Sequence, residues 1–450
     1  MTILELLASL GAASVGVALL FRPQIGVCAL LAWYPLLTEV PRLGPGLNAQ
    51  TALIALALAV TLIRVGPRLP PIVATAPVLS FAFVIVMGFV VAGVASTIQD
   101  PEFSTWERFK AVKSRIFTAL LFFAVYWWAR EPDQRRKLLV GISLAVLAVG
   151  TAAIVDFVAS GGRASGLFEN SNYSGAFLGI FSIVPVYLVR CASPSRASRA
   201  IHAAVYVVGA IGLILTQSRA AWLAAFLGHT VWLLYETRQL LVLSASALLL
   251  VSTIAYPLVP DLVRSRIEQT FAGSSTTYLA GAERLGLDGS SGSRIVMYRI
   301  GFDLWLESPI WGHGLDSFRY MAGPAGLRYG FLSGKTAHSL PLKLATETGI
   351  IGLIALLHLA IAVFAIGRRA IRTGEPDRKL GVLLIAVGCA TGACNMFHQD
   401  FLLSGLSSGL FWSLFGIVAR RACAPRKVGA PRSDAPAMAR SRTTAPVPGA

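Results

Sequence analysis

The sequence predicts an all-α polytopic membrane protein of about twelve to thirteen transmembrane helices with one large, partly helical loop. Three observations carry that reading. Of the 450 residues 55% are hydrophobic and only 14% are charged, whereas soluble chains are about a quarter charged. The mean hydropathy is +0.67. The apolar residues are gathered into runs that approach or reach the ~20 residues a helix needs to cross a bilayer. Lipid is therefore the main solvent, and ordinary cytosolic enzymes, disordered chains and fibrous proteins are excluded.

In chain order the predicted spans lie near 3–21, 25–40, 51–65, 77–96, 114–129, 137–157, 174–190, 201–217, 220–235, 239–257, 340–366, 380–399 and 403–419. The count falls to twelve if 25–40, interrupted by Pro35, only dips into the bilayer. The first run leads into Arg22-Pro23 and another apolar run, with no small-residue cleavage site, so it reads as a retained helix. The chain then divides into N-terminal helices (1–157), central helices with polar loops (158–257), a large loop (258–337), C-terminal helices (338–420) and a tail (421–450). The Ala, Pro, Arg and Ser content of the tail predicts disorder. It reads as a solvated stop-transfer flank rather than an anionic-lipid tether.

The formal charge of +17, from 39 basic and 22 acidic residues, follows from orientation. Twenty-three of the 39 basic residues fall on one side, including the short loops 130–137, 190–199 and 368–379 and the tail. Positive charge in short loops marks the cytoplasmic face. The tail is thus predicted cytoplasmic, and the turns at 158–173 and 216–220 and the loop 258–337 lie on the other side. Nucleic acid is not needed to explain the charge. Five cysteines without a CxxC pair indicate neither a disulfide framework nor a zinc site.

Arginine near the membrane on the non-cytoplasmic side runs against this rule and needs a reason. Arg219 ends TQSR (216–219), a short turn between two apolar runs. The donors Thr216, Gln217 and Ser218 before it favour anion binding over a snorkelling helix end. Arg163 opens RASGLFENSN (163–172), where Asn170, Ser171 and Asn172 can cap the next helix and expose N–H groups to an anion. Arg294 follows a Ser/Gly-rich start, and apolar residues at 297, 300, 304 and at 298, 302, 305 predict an amphipathic helix lying against the membrane domain. Both a phosphate-binding helix start and a Ser-capped surface helix fit that pattern.

Among the six histidines, His202, His229 and His358 lie within apolar runs and read as core residues. His398 sits at a helix end beside Gln399 and Asp400, where it can cap, and His313 lies in a Gly-rich turn. His338 marks the polar–apolar boundary where the long loop re-enters the bilayer, placed to act as a base or donor. Glu347 follows inside the helix and needs a partner there; an ion pair with an arginine and a chemical role both fit. No HExxH, GxSxG, Walker or DxD pattern is present, and no cofactor is expected.

Together these segments resemble the O-antigen ligase/O-antigen polymerase superfamily. The resemblance rests on RASGLFENSN at 163–172, TQSR at 216–219, Ser293-Arg294 with the helix and PIWGHGLDSF that follow it to 318, and His338-Ser339. That pair is followed by nine residues, then Gly349, two more residues and Gly352. The likeness covers about 160–366, while the first 150 residues match only as a hydrophobic pattern.

It implies a helical protein of the bacterial inner membrane with a large periplasmic loop. It further implies metal-independent transfer of a glycan from an undecaprenyl-diphosphate-linked donor to a glycan or lipid A–core acceptor. By the resemblance, Arg219 and Arg294 match the arginines that hold the diphosphate, and His338 matches the loop-end histidine. Arg163 and Asn172 match the upstream motif, and Ser218 and Glu347 complete the expected substrate-binding set. A transporter or flippase of a lipid-linked or anionic solute is the competing class, against which stands the absence of matching broken helices in two halves.

Overall fold

The computed structural model describes residues 2–41, 44, 47–94, 105–168, 170–193, 195–236, 289–319, 321, 336–374, 377–398, 401–403 and 407–424. The expected span 239–257, most of the loop 258–337 and all but the first four residues of the tail 421–450 lie outside the described residues. The described residues form helices and turns, with no strand beyond one isolated bridge between Gly44 and Leu47.

The helices are α1 (Ile3–Phe21), α2 (Pro23–Trp33), α3 (Ala49–Val65), α4 (Ile72–Val94), α5 (Thr105–Trp128), α6 (Pro132–Ser160), α7 (Ser171–Phe181), α8 (Ile183–Tyr187), α9 (Arg196–Leu215), α10 (Arg219–Glu236), α11 (Gly289–Glu307), α12 (Leu340–Ile371), α13 (Asp377–Phe397) and α14 (Ser408–Ala422). Local sequence sets their limits. Thr2 and Glu5 close a capping box on α1, Asn48 caps α3, and Gly161 ends α6 in the left-handed conformation. Pro35 falls in a 3₁₀ turn, Tyr34–Thr38, at the end of α2, so the expected span at 25–40 is a short helix plus a tight turn. The span at 174–190 runs through α7 and α8 into a π-turn at Leu188–Ala192.

Among the described residues, seven helical spans are long and apolar enough to cross a membrane: α1, α4, α6, the run from α7 to Ala192, α9, α12 and α13. This is an all-α, multi-pass membrane protein. Large apolar side chains on their outer faces, such as Val17, Phe83, Val155, Ile211, Ile354 and Leu357, are exposed as lipid-facing residues should be. α14 is the opposite case. Every residue from Ser408 to Ala419 is buried, and Trp412 meets Phe81, Phe411 and Phe415 while Phe415 meets Phe122 of α5. A helix apolar on all sides and only 15 residues long is thus the centre of the bundle rather than its rim.

Small residues let the helices around the polar loops approach closely. A Cβ at Gly212 would meet Gly150 at 2.9 Å, drawing α9 onto α6, and one at Gly175 would meet Ser218 at 2.7 Å, drawing α7 onto the start of α10. At one end of the bundle basic residues lock the helices. Asp377 accepts from Arg421 at 2.5 Å and faces Arg135 at 3.6 Å, and Glu236 pairs with Lys379 at 3.2 Å and Arg190 at 3.4 Å. Arg420 lies over the rings of Tyr126 and Trp127. The polar loops gather at the other end.

There α11 buries Met297, Ile300 and Leu304 in a second small core with Phe318 and Ala337. Its other stripe stays outside, with Phe302 and Leu306 exposed. The turn after α11 docks into a break in α12: Gly349 takes φ 63° and ψ −155°, and Ile350 donates to the Pro309 carbonyl at 2.8 Å. His313 and Gly314 donate to the carbonyls of Thr346 and Glu347, both at 2.9 Å. Gly349 can take that conformation only because it lacks a Cβ, and a Cβ there would strike the Ile310 carbonyl.

Candidate functional site

The loop 161–170 is shaped by α6 and α9 before it holds anything. Asp156 on the last turns of α6 accepts from the backbone N–H groups of Ser165 and Gly166, at 2.6 and 3.0 Å. Ala164 N–H donates to the Leu215 carbonyl at 3.1 Å, and Ser174 donates to the Ser165 carbonyl. Asn170 then caps α7 by accepting from Asn172 N–H at 2.8 Å, as its position in the sequence predicts. Arg163 leaves this loop toward α9, with Nε donating to the Thr216 carbonyl at 3.2 Å and Nη2 to Asn172 Oδ1 at 3.1 Å. Two fixed acceptors aim its planar fork.

The turn between α9 and α10 is almost wholly buried: Thr216, Gln217 and Ser218 are all less than 5% exposed. Thr216 satisfies its hydroxyl on the Leu213 carbonyl at 2.7 Å, and Gln217 N–H closes the end of α9 on Ile214 at 3.0 Å. Gln217 takes φ 51° to make the reversal. α10 therefore begins at Arg219 at the edge of the cleft beside Arg163, and Ser218, Arg219 and Ala220 at its start contribute to the wall.

The third arginine arrives from α11. Tyr298, one turn beyond Arg294, donates from its hydroxyl to the Met396 carbonyl at 3.0 Å and ties α11 to the end of α13. Arg294 thereby joins a cleft of about 370 Å³ lined by Arg163, Asn172, Gln217, Ser218, Arg219, Ala220, Arg294, Cys394, Phe397 and His398. Three arginines, one histidine and no acidic residue line it. Such a lining attracts an anion, and guanidinium forks together with helix N–H groups match phosphate oxygens.

Of the seven residues singled out from sequence, Arg163, Asn172, Ser218, Arg219 and Arg294 meet in this cleft. His338 is not part of its wall. It sits in the turn that leads into α12, at φ 51°, with Nε2 3.4 Å from Thr336 Oγ1. Its neighbour Ala337 packs with Met297 one turn from Arg294. Glu347 lies deep in α12, 1% exposed, facing Lys343 at 3.6 Å rather than an arginine. Lys343 in turn donates to Asp316 at 2.9 Å, and Arg115 donates to both oxygens of Asp316 at 2.8 and 3.0 Å. Burial alone would raise the Asp316 carboxyl, but Arg115 and Lys343 outweigh it and hold the group below the usual carboxylate range. Among the described residues no group of three or more His, Cys, Asp or Glu forms a metal-binding cluster.

Sequence reasoning missed Gln217 as a cleft residue in its own right, together with Cys394, Phe397 and His398 on the opposite wall. His398, edge-on to Tyr173 with ring centres 4.6 Å apart, was visible only as a polar helix end. Its signal was its place at the end of an apolar run on the same side as the arginines.

The sequence model of the family described as O-antigen ligase matches residues 204–357, about a third of the chain. That stretch contains the turn 216–219, α10, α11, the docked turn and the start of α12. No curated relative matches the sequence. The arginine cleft and the broken α12 lie inside or beside the matched region, and this segment of the chain is similar to the O-antigen ligase family.

Proposed function

We propose that the protein is a glycosyltransferase of the bacterial inner membrane that moves a glycan from undecaprenyl diphosphate to an acceptor sugar hydroxyl on the periplasmic face. The observation that carries the reading is the meeting of Arg163, Arg219 and Arg294, from three distant segments, in one cleft without an acidic residue. The positive-inside asymmetry supports the orientation, since the ion-paired end holds the basic short loops.

In the reaction the acceptor oxygen bonds to the anomeric carbon as the bond from that carbon to the diphosphate oxygen breaks. The bonding electrons leave with the diphosphate, and the hydroxyl proton passes to a base. Arg219, Arg294 and the first N–H groups of α10 meet the charge that grows on the leaving group. Donors of this kind are each worth about 2.7–4 kcal/mol of barrier in a water-poor site. Diphosphate needs no general acid. His338 is the base carried over from the family resemblance, and a single displacement inverts the anomeric centre. His398 is a second reading for the base, favoured by its place in the cleft wall. The acceptor is a glycan or lipid A–core.

The test is transfer of lipid-linked glycan by full-length protein in proteoliposomes. Arg219→Ala and Arg294→Ala are each expected to lower kcat/KM about 100-fold or more while the protein remains folded. Near-normal transfer by both folded variants sinks the assignment. A transporter, the competing class, needs access from both ends; ion pairs join the helices at the end away from the arginines, which supports transfer over transport.

A further inference from the structure

Gln217 takes no part in the mechanism above, yet it combines two unfavourable features at one position. Its backbone lies at φ 51°, a conformation that non-glycine residues seldom adopt. Its side chain is 4% exposed and lines the cleft, and Nε2 is buried with no hydrogen-bond partner among the described residues. A glycine would remove both features from this turn. The polar groups beside it are satisfied: Thr216 donates to the Leu213 carbonyl, and Ser218 N–H donates to Thr216. A buried donor left over in a satisfied turn has its natural partner in whatever fills the cleft.

Such a partner must be an acceptor, and the lining selects its charge. Arg163, Arg219 and Arg294 supply cations, so an anionic oxygen fits next to them. The carboxamide adds what the arginines lack, a neutral donor fixed by burial between the end of α9 and the start of α10. We propose that Gln217 is a ligand-contacting residue that donates from Nε2 to a phosphoryl oxygen of the lipid-linked diphosphate. This rests on the diphosphate reading of the cleft. It adds a donor whose role is to hold the donor substrate in one orientation, with no change in charge.

The test uses full-length protein in detergent, with inorganic diphosphate as the calorimetric probe and lipid-linked glycan transfer as the second measurement. Gln217→Met keeps the length and volume of the side chain and removes the amide. It is expected to unfold at the same or a higher temperature, bind diphosphate about tenfold more weakly and raise the KM for the lipid-linked donor by a similar factor. A purely structural role predicts unchanged affinity in Gln217→Met. Wild-type affinity in Gln217→Met, with Arg219→Ala and Arg294→Ala both defective, overturns the role of Gln217 and leaves the diphosphate reading standing. Wild-type affinity in all three overturns both. Where Gln217→Met fails to fold, Gln217→Gly, which suits the backbone, is judged by the same two measurements.

Discussion

Asp316 offers the sharpest test of what holds the site end of the protein in shape. Its carboxylate takes two bonds from Arg115 Nη2, at 2.8 and 3.0 Å, and one from Lys343 Nζ at 2.9 Å; Lys343 also faces Glu347 at 3.6 Å. Four alternating charges thus link α5, the turn after α11 and α12. Asp316→Asn keeps a residue type that tolerates the local φ of 61°. It removes the charge and leaves two cations facing Glu347 alone.

Breaking a buried pair by deleting one partner costs about 3–5 kcal/mol, so the unfolding temperature in detergent, followed by tryptophan fluorescence, should fall by several degrees. Arg115→Met should cost a similar amount. The double variant leaves Lys343 and Glu347 as a balanced pair, so its cost should fall short of the sum by about 0.5–3 kcal/mol. Because the native Asp316 carboxyl is held below its ordinary value, its contribution is complete above about pH 4 and is lost as pH falls further. Asp316→Asn should therefore narrow the stability gap between about pH 2 and about pH 4 and leave the profile above pH 4 parallel to the wild type. Additive costs, or a single variant that melts like the wild type, would refute the account.

Two further outcomes follow from the same geometry. Gly349→Ala places a Cβ at φ 63° against the Ile310 carbonyl. It is expected to cost at least about 1–3 kcal/mol and to lower transfer by freeing the docked turn, read from the melting temperature and from kcat. His338→Gln is expected to flatten the acidic limb of the kcat/KM profile for transfer while His398→Gln keeps it. The reverse pattern, in pH profiles taken with the same donor, moves the base to the cleft wall.

Much of this architecture is legible in the residues, because hydropathy and cap chemistry act locally. The apolar runs mark the helices, Asn170 marks the start of α7, and the 297/300/304 stripe marks the buried face of α11. The His338-to-Gly352 spacing becomes intelligible as a helix that must break at Gly349 to admit Pro309 and Ile310. What was hidden depends on contacts between distant segments. Nothing in the sequence pairs Asp316 with Arg115, 201 positions away. The partner of Glu347 was readable in principle, since Lys343 precedes it by four residues. The short α14 hides its central place, because a buried helix and a membrane-facing one are equally apolar. Gln217 was legible only as one of a cluster of donors before Arg219, because its burial and its unpartnered Nε2 depend on packing that the sequence does not display.

Strain adds a last argument. Among the described residues three non-glycine residues take positive φ: Gln217, Asp316 and His338. Each conformation of this kind costs of order 1–3 kcal/mol and persists only where its surroundings over-determine it. All three fall in the polar segments at the site end, and none falls in the locked basic end. Each also has a separate restraint. Gln217 is clasped between α9 and α10, Asp316 is held by two cations, and His338 lies between Ala337 in the small core and the start of α12. A chain selected only to be a stable bundle would place Gly or Asn at such turns. Gln and His at these turns accord with the proposal that their side chains serve the site, and the Asp316 network and the Gly349 dock brace the segments around them.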